Sequence, residues 1–265
     1  MDRKTFNENS AQRGSVWAIA DLHLSFGVVG KEMDVFGEAW TKHHEKLEKN
    51  WRERIQEDDL VLIAGDISWA LHLEDAVKDL EWIDRLPGTK VMIKGNHDLW
   101  WKSKAKVRGI LPKSIHLIYN DAFTWHDITI GGSRLWENKE INYTPHIEFH
   151  SFPGVNIHKK PDTEEEEKHD EKIFKSELER LQLSIKAMDP RAKSKVVMVH
   201  YPPTGPEHNK TEVTTILEQN KIDICLFGHL HNLHKDAPVN FSLASVDYFC
   251  TAADYLNFIP IKLDL

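Results

Sequence analysis

The chain has 265 residues, 40% of them hydrophobic and 29% charged, with a formal net charge of −8. That length buries a substantial core, and an acidic balance without a basic tract argues against tight non-specific binding to nucleic acid or an anionic membrane, which needs clustered Lys and Arg. Two cysteines, Cys225 and Cys250, are too few for a disulfide framework, and the polar opening MDRKTFNENSAQRG lacks the apolar stretch of a secretory leader; the expected location is the cytoplasm.

Val16 to Ala20 reads as a short buried strand, followed by Asp21-Leu22-His23. Phe36, Trp40, Leu47, Trp51 and Ile55 recur near helical spacing. Leu60 to Ala64 is a second strand, ending in Gly65-Asp66. Leu73, Ala76, Val77, Leu80, Ile83 and Leu86 mark a helix stopped by Pro87-Gly88. Lys90 to Ile93 is a third strand, leading into Gly95-Asn96-His97-Asp98, and Phe123 to Gly132 has the pattern of a strand pair. Trp136 to Asp162 is irregular, aromatic and histidine-containing, the pattern of a lid-like insertion or a disordered segment. A long helix follows Thr163, with Thr163 and Glu166 as a capping box and Phe174, Leu178, Leu181, Ile185 and Met188 on one face. The acidic run Glu164 to Glu167 suits a helix N-terminus, where the dipole favours negative charge. Lys195 to Val199 and Ile222 to Phe227 are further strands, ending in His200 and in Gly228-His229-Leu230-His231, and more strands follow Val239. Alternating strands and helices predict a layered α/β arrangement; the strand-rich segments add a second sheet. There is no internal repeat or linker, so one domain over residues 1–265 is expected.

Five polar motifs thus stand at carboxyl ends of predicted strands, the edge where α/β sheets bind ligands. Asp21 with His23, and His229 with His231, are two residues apart, a spacing that in extended backbone points both side chains the same way. Asp oxygens and His nitrogens, without thiolates, suit first-row divalent ions. Gly65, Gly95 and Gly228 each stand beside a candidate ligand and allow close approach.

The order D-x-H, G-D, G-N-H-D, H, G-H-x-H resembles the calcineurin-like metallophosphoesterase superfamily, over motifs that run from Asp21 to His231. The resemblance implies a four-layer α/β/β/α sandwich with two mixed β-sheets. It implies that Asp21, His23 and His231 hold one metal, that Asn96, His200 and His229 hold a second, and that Asp66 bridges them. His97 would act on the substrate, and Asp98, at a position the resemblance also makes acidic, could orient His97 by accepting a hydrogen bond. The cofactors would be two divalent ions, Mn, Fe or Zn, with manganese first among them. Such a pair can lower the pKa of a shared water, whose hydroxide attacks phosphorus. The function implied is hydrolysis of a small phosphomonoester or phosphodiester. The alternatives are a nuclease or cyclic-nucleotide phosphodiesterase, and a non-catalytic scaffold that keeps the fold. No membrane partner is expected. After Gly65-Asp66 the chain runs Ile67-Ser68-Trp69, without the further Asp of some members, and the extended loops of the Ser/Thr protein phosphatases have no obvious match.

Position sorts the remaining candidates among sixteen histidines and nine tryptophans. His43, His44, His72, His116 and His126 read as packed or surface residues. His234 could support a ligand from behind. Arg134 could reach a phosphate or form a surface salt bridge. His146, His150 and His158 could line a pocket or lie on a solvated loop. Trp100 and Trp101 read as core; Trp69 also lies near a motif, and Trp136 fits either role.

Overall fold

Short runs of β-branched and aliphatic residues pair into two sheets, and amphipathic segments cover them. The computed structural model describes residues 14–148 and 163–265. The first sheet has the order β11-β1-β2-β3-β4. It is built from β1 (Val16–Ile19), β2 (Leu60–Ile63), β3 (Thr89–Met92), β4 (Ile115–Leu117) and β11 (Ile261–Leu263). β1 to β4 run parallel, in the register Ala18↔Leu62 and Leu62↔Val91, and β11 is antiparallel to β1. The second sheet has the order β5-β6-β7-β8-β10-β9. Its strands are β5 (Phe123–Trp125), β6 (Ile128–Ser133), β7 (Ser194–Val199), β8 (Ile224–Phe227), β9 (Asn240–Leu243) and β10 (Val246–Cys250). β6, β7, β8 and β10 are parallel, with β5 and β9 antiparallel at the edges.

Alternation along these strands creates the layers. Ala18, Leu62 and Val91 of one sheet meet Ile130, Val196 and Leu226 of the other in a shared core. The opposite face of the first sheet, with Ile19, Val61, Ile63 and Met92, packs on Leu47 and Trp51 of α1 (His43–Arg54) and on Leu80 and Ile83 of α2 (Leu73–Asp84). The opposite face of the second sheet, with Val197, Cys225, Phe227 and Tyr248, packs on Leu178, Leu181 and Ile185 of the long C-terminal-half helix (Glu164–Lys186) and on Val213 and Leu217 of a later helix (Glu212–Gln219). Burying each such aliphatic side chain contributes about 1.5–3 kcal/mol. The result is the expected α/β/β/α sandwich with two mixed sheets. Including the short α3 (Lys104–Arg108), the two later helices are α4 and α5.

Three local differences from the sequence reading have physical causes. The helical spacing from Phe36 to Ile55 does not make one helix, because Gly37 adopts φ 119 and ψ 169, and Phe36 and Trp40 sit in separate 3-10 turns before α1. α5 escaped notice because it is short and β-branched, although Thr211 and Thr214 form a reciprocal capping box. β4 is only three residues long, too short for a periodic pattern. Residues 136–148 run as an irregular segment with a 3-10 turn at Thr144–His146 and a bridge between Ile147 and Leu233. The remainder of the lid-like stretch, with His150 and His158, lies outside the described residues. Among the described residues, no helix is long and apolar enough to cross a membrane.

Candidate metal centre

Parallel strands of both sheets bring their carboxyl ends to one rim. The first sheet supplies the loops after β1 (Asp21, His23), β2 (Asp66) and β3 (Asn96, His97, Asp98). The second supplies those after β7 (His200), β8 (His229, His231) and β10 (Asp254). The sheets are stitched together there: Ala20 N donates to Thr251 O at 2.7 Å, and Ala253 N donates to Ala20 O at 3.1 Å.

The local backbone differs from the extended geometry expected for the D-x-H and H-x-H pairs. Asp21 has φ 59, His23 φ 45, Asp66 φ 51 and His229 φ 70. Left-handed backbone is uncommon outside glycine and costs about 1–3 kcal/mol per residue. Here it is held by hydrogen bonds from Asp21 N to Gly65 O at 2.9 Å and from His23 N to Asp66 O at 3.0 Å, and by His229 N on both Asp21 carboxylate oxygens. It is this turn geometry, rather than strand alternation, that turns the side chains inward. Two glycines provide room: a Cβ at Gly95 would lie 2.0 Å from Asp66 Oδ1, and one at Gly228 would lie 2.4 Å from Asp21 Oδ2.

All seven expected ligands converge. Donor atoms of Asp21, His23 and His231 lie within 4.8 Å of one another, as do those of Asp21, Asp66 and His200. The His23 and His231 Nε2 atoms face each other at 3.1 Å. Asn96 Oδ1 lies 2.7 Å from His200 Nε2 and 3.1 Å from His229 Nδ1. Asp66 Oδ2 is 3.6 Å from His23 Nε2 and 3.4 Å from His200 Nε2, so it stands between the two groups. Asp21 also reaches both, with Oδ1 3.7 Å from His231 Nε2 and 3.9 Å from His200 Nδ1. Asp21, His23, Asp66 and His200 are buried, while Asn96, His97, His229 and His231 are half-buried, giving a closed floor under an open mouth.

The donor set fits divalent cations. Asp66 Oδ2 and His23 Nδ1 are buried without a hydrogen-bond partner. An unpartnered buried carboxylate oxygen is costly, and a cation would satisfy it. His200 Nδ1 lies 3.0 Å from Ala64 O; donation of its proton there leaves Nε2 free to ligate. Nδ1 of His231 does the same toward Asp254 Oδ1 at 2.9 Å, while Asp254 Oδ2 accepts from Asn232 N at 2.8 Å. A carboxylate behind a ligand histidine fixes its tautomer and orientation.

The electrostatics are those of competing charges in a small dry volume. Burial pushes Asp21 up to about 7, with Asp66 adding to the rise and His231 and His200 opposing it. Burial raises Asp66 too, but His200, His23 and His97 overcome it and hold Asp66 well below the carboxylate range. Burial keeps His23 well below its usual value. Burial opposes charge on His200 and His231 as well, yet Asp66 and Asp21 lift the first, and Asp254 and Asp21 the second, to about 9. Cation uptake by such ligands releases protons.

The other expected residues surround this cluster. His97 N donates to Asp66 Oδ1 at 2.8 Å, and its ring packs 4.3 Å from that of Trp69. Trp69 also stacks on His23 at 5.0 Å. The fully buried Asp98 carboxylate accepts from Gly95 N, Ile67 N, Ser68 N and the Trp100 indole at 2.7–3.1 Å. It therefore braces the β2 and β3 loops against each other. Arg134 follows β6 and pairs with Glu177 at 3.2 Å, both side chains mostly buried, so the ion pair is not a surface one. His234 instead faces Glu148 at 3.4 Å. His43 is buried on Leu22 O, and His72 is exposed at the start of α2. Half-buried His44 and His116 pack on Phe26 and Phe123, and exposed His126 lies against Trp125. His146 lies beside Tyr143. Trp100 and Trp101 are core residues. Trp136 is half-buried, with its indole donating to Asp170 Oδ1 at 2.8 Å.

Two contributors were missed. Asp254 gives no spacing signal, and only its position after a strand parallel to β8 would have placed it at this rim. Tyr201, whose ring lies 4.0 Å from that of His229, directly follows His200 and was hidden by it.

The family model for calcineurin-like phosphoesterases matches residues 14–233. The gene 66 proteins of Mycobacterium phages D29 and L5 are similar over 84 residues, at 34% and 33% identity; each match covers 32% of this chain and 40% of the phage protein. Among solved structures, a protein of unknown function, AQ665 from Aquifex aeolicus, is similar at 16% identity and a TM-score of 0.46, covering 94% of this chain and 95% of that one. Phosphopantetheinyl hydrolase from Mycobacterium tuberculosis is similar at 13% identity and a TM-score of 0.48, covering 95% and 96%. With the family model spanning every candidate metal ligand, the chain belongs to the calcineurin-like phosphoesterase family.

Proposed function

We propose that this chain is a dinuclear-metal phosphohydrolase that cleaves a small phosphomonoester or phosphodiester. The observation that carries the reading is the buried Asp66 Oδ2, without a hydrogen-bond partner and set between His23 Nε2 and His200 Nε2. Asp21, His23 and His231 would hold one cation, Asn96, His200 and His229 the other, and Asp66 both. Manganese is the first candidate, in a cytoplasmic, single-domain protein. When bound, a cation pair supplies Lewis acidity toward phosphate and lowers the pKa of a water.

The protein's own groups do the rest. His97, at the open side and anchored through its backbone to Asp66, donates a proton to the leaving alkoxide or neutralises a phosphoryl oxygen. Trp69 forms the wall that fixes the His97 ring. Asp98 is a positioning residue: its carboxylate is taken up by four N–H donors, so it orients His97 through the loop. Residues 146–148 are tied to the loop just after His231 by the hydrogen bonds of Glu148 N to Asn232 O and of His234 N to His146 O.

The test is hydrolysis of p-nitrophenyl phosphate and bis-p-nitrophenyl phosphate by protein loaded with Mn²⁺, Zn²⁺ or Fe²⁺. Chelator-sensitive turnover is expected, and the preferred substrate separates monoesterase from diesterase. His97→Ala is expected to keep its bound metal and lose about 10²–10⁴-fold in kcat. Absence of both bound metal and turnover would refute the assignment and favour a scaffold.

A further inference from the structure

Beside the metal centre three cationic side chains, Lys94, Arg134 and Arg180, gather around the Glu177 carboxylate. Arg134 Nη2 and Arg180 Nε share one oxygen, Glu177 Oε1, at 3.2 and 3.5 Å. The Arg134 guanidinium lies over the Trp136 ring at 4.3 Å, and its Nε is buried without a hydrogen-bond partner. Arg180 lies over Tyr119 at 4.8 Å and donates to Asn120 Oδ1 at 3.4 Å. Lys94 Nζ donates to Trp101 O at 3.0 Å. Burial, and then the charge of Arg134, lower the pKa of Lys94, and Arg180 contributes as well. Asp98 and Glu177 are the acidic groups acting on Lys94. Asp98 is spent on four N–H donors, Asp170 accepts the Trp136 indole, and Glu137 stands on the neighbouring loop.

The cluster borders one half of the metal centre. Ser133 pairs with Val199 in parallel register, and His200 N and Tyr201 N both donate to Arg134 O at 3.1 Å. Lys94 immediately precedes Gly95-Asn96. Trp136 packs on Tyr201, which packs on His229. Asn96, His200 and His229 are thus the nearest ligands.

We propose that Lys94, Arg134 and Arg180 form a second anion subsite, which holds a non-reacting phosphate of the substrate while the scissile phosphate sits at the metal centre. Guanidinium groups fixed by stacking and a shared carboxylate are preorganised for charge-assisted hydrogen bonds to phosphate oxygens. The substrate class is then a small molecule with two phosphate groups. Hydrolysis at the neighbouring centre rests on the function proposed above; anion binding at the cluster does not.

Two measurements separate these claims. In the first, calorimetry follows pyrophosphate binding to chelator-treated protein, and Lys94→Met and Arg180→Gln should each weaken it about tenfold. In the second, kinetics with Mn²⁺ compare adenosine 3′,5′-bisphosphate with adenosine 5′-monophosphate. The bisphosphate should have a KM at least about tenfold lower, and either variant should shrink that ratio through KM rather than kcat. The Arg180 side chain is 30% exposed on α4, so Arg180→Gln provides a second variant if Lys94→Met is unstable. Pyrophosphate binding that depends on the cluster in a protein without turnover would support the subsite and sink the hydrolase. Turnover with no bisphosphate preference, or a preference that both variants retain, would sink the subsite and leave the hydrolase standing.

Discussion

Buried polar side chains occur at both ends of β2 and β3, and their surroundings differ. At the amino-terminal ends, Asp59 accepts from Ser15 N at 2.6 Å, Gln56 N at 2.9 Å and the Trp17 indole at 3.0 Å. Nearby, Lys90 Nζ donates to Leu86 O, Asp84 O and Ser114 Oγ. Both are buried and both are saturated by the protein itself. At the carboxyl ends of β2 and of its neighbour β1, Asp66 and His23 are equally buried, yet each keeps an atom with no hydrogen-bond partner, and imidazole nitrogens face each other across 3.1 Å. A satisfied buried charge is architecture, whereas a convergent, unsatisfied set is arranged for a ligand.

Substitutions at the two ends should therefore fail in different ways. The largest effect is expected at the carboxyl end: Asp66→Asn should lose more metal and activity than the roughly 10–100-fold that removal of an outer hydrogen-bonding partner costs, while remaining folded. Metal content after dialysis and kcat/KM would show this, and Asp21→Asn with an equal deficit in both would count against Asp66 as the bridge. Next, Asp254→Ala should cost about 10–100-fold in metal affinity by releasing His231 Nδ1, with Asp254→Asn milder because its carbonyl still accepts; wild-type affinity in the Ala variant would dismiss the support role. At the other end, Asp59→Ala should lower stability by about 2–3 kcal/mol by stranding three donors, leaving turnover per folded molecule unchanged. Denaturant titration beside active-site titration would reveal the opposite pattern if the comparison is wrong.

The smallest effect is a pH slope. Burial brings Lys90 down to about 8 against the partial opposition of Asp84. Between about pH 8 and the ordinary lysine value near 10, the unfolded chain holds a proton that the folded chain has released. Stability attributable to Lys90 is thus complete above that window and is lost as pH falls through about 8, with a slope of at most about 1.4 kcal/mol per pH unit. Lys90→Met should flatten the curve there; an unchanged slope in denaturation midpoints would reject the shift.

Sequence carried much of this organisation because strand-end motifs are contiguous. Asp21-Leu22-His23 and His229-Leu230-His231 place the residue types, and apolar runs place them at strand ends. What residue type cannot convey is backbone hand: nothing in Asp21, His23, Asp66 or His229 announces φ values of 45–70. Partnerships across loops were equally silent. Asp254 serves a histidine on another loop, Asp98 bonds across to the β2 loop, and Arg134 turned to a helix rather than to solvent. Each depends on register between elements, which becomes visible only when the sheets are assembled.

The stitch between Ala20 and Ala252, together with the pairing of β1 and β11, has a consequence for the order of assembly. Residues so distant along the polymer meet only after a large loop-closure entropy has been overcome, and contacts of this kind slow folding. While the protein is being synthesised, Asp21 and His23 have to wait for the last strands to emerge, so we expect the rim that carries them to mature late. Pulse-labelled hydrogen exchange should find the Ala20 and Ala253 amides protected after those of β2 and β3; earlier protection would place this junction in the folding nucleus instead.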